Sequence, residues 1–292
     1  MAKIIIRVPA TTTNLGSGVD SVGLALQLYY TVIVEEKTDE WKVNHALGHD
    51  IPTDEHNLIV QTILKVDSDI HPHQLTVISD VPIAHGLGSS TTAVVAGIKI
   101  ANKLGDLGLS IEDQINLGTK IEGHPESVAA AMLGNLVVST YDGETVTAAT
   151  LPVPDVSALM YIRPDGVSEV ESRKKLPKQI DYDVAVHASS QENVFIALVA
   201  QGKWEQAVKL IENDHLHEPY RKELVPEIDQ IRSTAHKLDI FGTYLSGAGP
   251  TVATLGKKAA LTQLRIDLAQ QNLNGSLRLL QIDTEGATVR GE

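Results

Sequence analysis

The chain has 292 residues, a formal net charge of −13 at pH 7 and no cysteine. The charge excludes a broad nucleic-acid or anionic-membrane surface, and the missing thiols exclude disulfides, thiolate metal sites and cysteine nucleophiles. With 42% hydrophobic and 21% charged residues the chain can bury an ordinary core, and its length leaves room for one large or two medium domains. The first apolar run is too short for a signal peptide and no later one reaches bilayer length, so a cytoplasmic location is expected.

Strands are predicted at 4–8 and 29–36 from β-branched and aromatic runs, and the polar, glycine-rich stretch between them, 9–23, reads as a loop. Apolar spacing at Leu58, Ile59, Ile63 and Leu64 predicts a helix over 56–66, followed by a strand at 74–80. Residues 82–94, Pro-Ile-Ala-His-Gly-Leu-Gly-Ser-Ser-Thr-Thr-Ala-Val, open a helix that is apolar on more than one side and stops at Gly105. Ser110 and Asp113 have capping-box spacing for a helix ending near Glu122 and Gly123; Pro125 starts the next, and Gly134 ends it. A strand at 135–141 and a variable Thr-, Ala- and Pro-rich stretch at 143–156 close a first lobe. The second lobe reads as strands at 158–163, 251–255 and 276–282 with helices at 191–200, 204–212, 224–238 and 259–273, an α+β organisation without repeats.

Gly86 and Gly88 allow a tight turn and close backbone approach where a helix begins, and the free N–H groups of its first turn favour an anion. Ser89, Ser90, Thr91 and Thr92 add hydroxyls able to ligate magnesium. By itself this segment leaves phosphate binding and a plain capped turn both open. It is not a Walker loop, since no Gly-Lys-Ser/Thr follows at the required spacing, and the protein-kinase signature set is missing too. Leu245-Ser-Gly-Ala-Gly-Pro-Thr251, taken alone, reads as a tight turn. His71-Pro-His73 and His215-Leu-His217 have no third ligand and read as surface residues.

Taken in order, Pro9-Ala-Thr-Thr-Thr-Asn-Leu-Gly-Ser-Gly-Val-Asp20, Gly86-Leu-Gly-Ser-Ser90, Glu122-Gly-His-Pro-Glu-Ser127 and Ser246-Gly-Ala-Gly-Pro-Thr251 resemble the motifs of the GHMP kinases, and across essentially the whole chain those of bacterial homoserine kinases. The resemblance implies a two-lobed fold: an N-terminal ATP-binding lobe like ribosomal protein S5 domain 2 over 1–156, and a C-terminal ferredoxin-like α/β sandwich over 157–292. It implies transfer of the γ-phosphoryl group of ATP to the side-chain hydroxyl of L-homoserine, giving O-phospho-L-homoserine for threonine biosynthesis. ATP would lie on Pro82, Ile83, Ala84, His85, Gly86, Leu87, Gly88, Ser89, Ser90, Thr91 and Thr92, with Asn57 near the adenine, Mg2+ on Ser90 and Glu122, and Ser246, Gly247 and Gly249 as a supporting loop.

The acceptor falls to Asn14, Asp20, His124, Arg173 and Arg221 in the same resemblance: arginine forks for its carboxylate, Asp20 for its ammonium group, Asn14 for its hydroxyl, and His124 in the wall. Arg173 and Arg221 sit in the segments 168–177 and 214–226, which favour homoserine kinases over other GHMP kinases. Asn14, Glu126 and Ser127 are the catalytic candidates, with Glu126 as the base if one is needed. Homoserine kinases usually read Gly-His-Pro-Asp-Asn, whereas Glu126 is one methylene longer and Ser127 offers a hydroxyl for an amide. Ser17 and Val19 replace a usual proline and phenylalanine, as packing changes. Another small-molecule GHMP kinase and a nucleotide-binding paralogue with reduced activity are the alternatives. A homodimer is expected, with no nucleic-acid or membrane partner.

Overall fold

The computed structural model describes residues 3–153 and 155–291, and its first feature is a long antiparallel hairpin of β1 (Ile4–Asn14) and β2 (Gly18–Lys37). The stretch 9–23, expected as a loop, is strand on both sides of a turn at 15–17. Polarity misled the reading because these hydroxyls are buried and paired: Thr11 Oγ1 lies 2.7 Å from Ser127 Oγ, and Thr12 Oγ1 lies 2.9 Å from the Tyr244 hydroxyl and 2.8 Å from Ser246 Oγ. Register shifts after Pro9 and Thr13 twist the hairpin end, leaving Asn14 and Asp20 with positive φ.

The hairpin anchors a seven-stranded sheet in which β4 (His73–Ser79) extends β2, and β3 (Lys42–Asn44) pairs in parallel with β4. β5 (Leu136–Tyr141) pairs the start of β2 and is itself paired by β6 (Val146–Leu151). β6 lies within the stretch read as variable; its exposed residues alternate too weakly to signal a strand. Four helices cover the sheet: α1 (Leu58–Val66), α2 (Ser89–Leu104), α3 (Ile111–Glu122) and α4 (Glu126–Leu133). The capping box at Ser110 and Asp113 is formed, and Gly123 ends α3 in the left-handed conformation. α2 is buried from Thr91 to Ile98, as its all-round apolarity requires, and packs with α4 on β1 and β2 around Ile6, Val8, Leu24, Val94, Ile98 and Ala129.

A second, wholly antiparallel sheet has the order β10 (Ser276–Gln281), β7 (Ser157–Ile162), β9 (Val252–Gly256), β8 (Thr243–Leu245). Alternation along β7 sends Leu159 and Tyr161 to α9 (Glu227–Lys237) and α10 (Lys258–Ala269), and Ala158 and Met160 to the core shared with Phe195 and Trp204 of α6 (Tyr182–Ala200) and α7 (Trp204–Ile211). α5 (Glu169–Lys174) and α8 (Glu218–Arg221) are too short to show a helical period in the sequence. The α+β, two-lobed architecture holds. The strand β11 (Thr288–Gly291) nevertheless returns to the first sheet and pairs with β1, a crossing that a single cut at 156/157 leaves out. No helix among the described residues is long and apolar enough to cross a membrane.

One buried acid gives the fold a pH signature. Burial, then the charge of Asp214, pushes the Glu192 carboxyl on α6 up to about 8, and its Oε1 has no partner among the described residues. The native state thus holds this proton where the unfolded chain releases it, so stability falls as pH rises from the ordinary carboxylate range through about 8. Thermal unfolding of Glu192→Gln should show Tm raised by roughly 5 °C at pH 9, shrinking toward pH 5; a pH-independent gain contradicts this.

Candidate active site

The four motif segments converge on one cleft of about 560 Å³ between the sheets, lined by the hairpin end, the 83–91 loop, residues of 122–127, 167–173 and 247–249, and Arg221. Gly86 and Gly88 hold left-handed φ of 69° and 70°. A Cβ on Gly86 would stand 2.3 Å from Ser246 O, and one on Gly88 2.3 Å from Thr11 Oγ1, so side chains are excluded by both conformation and space. The helical ladder of α2 begins with Thr92 N–H on Gly88 O at 2.8 Å and has no side-chain cap, which leaves the amides of 89–91 for an anion at the positive helix end. Leu87 and Thr92, expected on ATP, are buried and do not line the cleft; neither do Pro82 and Ser246. Ser246 instead donates to Gly86 O at 2.7 Å and buttresses the loop from the second lobe, while Gly247 and Gly249 do reach the cleft. His85 ties the loop across the lobes, its ring nitrogens 2.5 Å from Ile83 O and 3.0 Å from Arg163 O.

Beside this loop, Ser90 Oγ donates to Glu122 Oε1 at 2.8 Å and Thr91 Oγ1 to Glu122 Oε2 at 2.7 Å. The cluster offers hard oxygens from a few side chains and no more, a fit for magnesium that completes its shell with phosphates and water. Tyr30, Leu47, Ile51, Pro52, His56 and Leu58 wall the apolar end, where no sequence motif marked them. Asn57 also lines this end, but its amide is occupied in capping α1: Oδ1 accepts from Ile59 N–H at 3.0 Å and Nδ2 donates to Pro52 O at 2.7 Å. It supports the wall.

The opposite end is ionic. Arg173 makes a two-point pair with Asp20, Nη2 to Oδ1 at 3.1 Å and Nη1 to Oδ2 at 3.3 Å. Arg221 is buried, donating from Nη1 to Gly247 O at 3.1 Å and from Nε to Ser172 O at 3.4 Å, and Asn14 Nδ2 reaches the same Gly247 O at 3.2 Å. His124 stands between two carboxylates, Nδ1 3.1 Å from Glu126 Oε1 and Nε2 3.2 Å from Glu169 Oε1. Burial opposes its charge, yet the bonds to Glu126 and Glu169 prevail and push its pKa to about 10. His124 is therefore an imidazolium at neutral pH and has no lone pair to act as a base. Glu126 is 3% exposed and its Oε2 has no partner among the described residues, while Ser127 is held by Thr11 beneath Gly88.

The family is shown by comparison with known proteins. Residues 57–141 match the GHMP kinases N terminal domain and 195–271 the GHMP kinases C terminal domain. A homoserine kinase of Streptococcus suis is 44% identical over 98% of this chain and 99% of its own, and one of Bacillus cereus 41% identical over 100% and 98%. The chain belongs to the homoserine kinase family of the GHMP kinases. A solved structure titled for a homoserine kinase of Listeria monocytogenes superposes with a TM-score of 0.90 at 37% identity, covering 99% of each chain.

Within this homoserine kinase framework the sequence reading missed Glu169, Ser172 and His217. The segments 168–177 and 214–226 were singled out for their arginines, and the partners of those arginines lie in the same segments. His73 and His217, read as surface residues, are buried: His73 Nδ1 sits 2.7 Å from His71 O, and His217 lies against Arg221.

Gly88→Ala should weaken nucleotide binding by about tenfold or more, the equivalent of one lost anchoring hydrogen bond to a charged group. Gly108→Ala is the control, with φ +63 but nothing within 4 Å of its added Cβ. Titration calorimetry with a non-hydrolysable ATP analogue should separate them; equal affinities would contradict the role given to Gly88.

Proposed function

We propose that this cleft transfers the γ-phosphoryl group of Mg2+-ATP to the side-chain hydroxyl of L-homoserine, the step that yields O-phospho-L-homoserine for threonine synthesis. The observation that carries the reading is the Asp20–Arg173 pair, with Arg221 behind it, facing the phosphate loop across one cleft. An α-amino acid bears a carboxylate and an ammonium group on one carbon, so it can replace each partner of that pair for the other. Its carboxylate goes to Arg173 and Arg221, and its ammonium group to Asp20.

Phosphoryl transfer proceeds through a loose, in-line transition state, so holding the reactants and stabilising charge can supply most of the rate. The amides of 89–91 hold phosphate oxygens with the α2 dipole behind them. Ser90 and Glu122 would hold magnesium, which when bound neutralises phosphate charge. Asn14 braces Gly247 at the acceptor end, and Ser127 braces the floor under Gly88 through Thr11. Glu126 keeps Oε1 on the His124 imidazolium, and its Oε2, buried and without a partner among the described residues, would be the atom that takes the proton of the acceptor hydroxyl. We further place the protein in the cytoplasm as a homodimer, the state usual for the family, without nucleic-acid or membrane partners.

ADP release with ATP, Mg2+ and a panel of L-homoserine, mevalonate, galactose and L-threonine tests the reading. Turnover should depend on L-homoserine; turnover with mevalonate or galactose instead would mark a different GHMP kinase, and nucleotide binding without turnover would mark the Glu126-Ser127 departure as inactivating. Arg173→Ala should raise the L-homoserine KM roughly 30-fold, the value of a charge-assisted hydrogen bond, and leave the ATP KM within about twofold. Glu122→Gln should raise the Mg2+ concentration giving half-maximal rate by about tenfold, and no change would remove Glu122 from the metal's ligands.

A further inference from the structure

His217 is wholly buried and does not line the cleft, yet it lies against the most buried arginine that does. We propose that His217 is a positioning residue, a neutral imidazole that aims Arg221 at the carboxylate of the amino-acid acceptor. The inference rests on the reading of Arg221 given above.

The tautomer follows from the neighbours. Nδ1 lies 3.4 Å from Arg221 Nη1, and a guanidinium only donates, so Nδ1 must carry a lone pair. Nε2 then carries the proton, with Asp214 Oδ2 3.2 Å away but out of hydrogen-bonding alignment, so that Nε2 has no hydrogen-bond partner among the described residues. Burial pushes the His217 pKa down to about 4, consistent with a neutral ring. Asp214 is itself fixed, accepting from the Leu216 amide at 2.7 Å and the Glu218 amide at 2.6 Å, the chain turn that leads into α8 and Arg221. Arg221 is thereby held from three sides: His217 below, Ser172 O on α5, and Gly247 O on the supporting loop. Nη2 is the guanidinium nitrogen with no acceptor among the described residues, and it remains for a ligand.

A histidine that merely filled space would not care which nitrogen it presented, and amide substitutions separate the two roles. The amide oxygen of His217→Asn falls where Nδ1 stands and can still accept from Arg221, whereas the amide of His217→Gln falls at Nε2 and cannot. His217→Gln should raise the L-homoserine KM at least tenfold with the ATP KM within about twofold, and His217→Asn should stay within about threefold of the unaltered protein. In an Arg221→Ala background the same two substitutions should leave the L-homoserine KM within about twofold of each other, since no guanidinium is left to aim. Equal L-homoserine KM values in His217→Asn and His217→Gln with Arg221 present, or a difference that persists in the Arg221→Ala background, would overturn the assignment. If the unaltered protein fails to turn over L-homoserine, the functional reading falls, and the assignment with it.

Discussion

The near-contact of two glycine-rich turns from opposite lobes is the constraint on which the site depends. Gly86 sits so close to the Ser246–Gly249 turn that any side chain would collide with Ser246 O, and the gap is closed by the Ser246 hydroxyl on Gly86 O. The same turn is fixed to the hairpin by Gly247 N–H on Thr13 O at 3.2 Å, and the phosphate loop by Thr11 N–H on Leu87 O at 3.2 Å. Three segments far apart in sequence are thus locked at backbone precision, and the free amides of α2, the hairpin carboxylate and the second-lobe arginines inherit their positions from that lock.

Electrostatically the acceptor end is a set of pairs with no large net charge. Asp20 with Arg173 is half exposed, and such pairs contribute little to stability. In the proposed function this pair is a receptor at rest, each ion satisfied by the other until a ligand brings both charges at once. The His124 cluster is different: Glu126 is buried beside an imidazolium, and its Oε2 has no partner among the described residues. Glu169 joins that cluster from α5, the helix that also carries Arg173, so the Asp20–Arg173 pair and the His124–Glu126 pair are mechanically linked.

Much of the first lobe was legible because its signals are local. The capping box at Ser110, the glycine stop at Gly123 and the all-round apolarity of α2 each report a rule that operates within one turn of helix. What stayed hidden depends on distant partners. The hairpin at 9–23 looks like a loop until Tyr244, Ser246 and Ser127 arrive to satisfy its hydroxyls, and β11 is strand only because β1 offers an edge. The motif residues were legible as a set through resemblance, but Asn57 shows the limit: an amide can lie in the cleft and still be engaged in a helix cap. His217 and Glu169 carry no motif of their own, since they act by touching residues that do.

The central claim is that a zwitterion displaces the Asp20–Arg173 pair opposite a triphosphate held by main-chain amides. A crystal structure with a non-hydrolysable ATP analogue and L-homoserine tests it most directly. The account predicts phosphate oxygens on the amides of 89–91, with the amino acid's carboxylate on Arg173 and Arg221 and its ammonium group on Asp20. An intact Asp20–Arg173 pair with the amino acid bound elsewhere would contradict it.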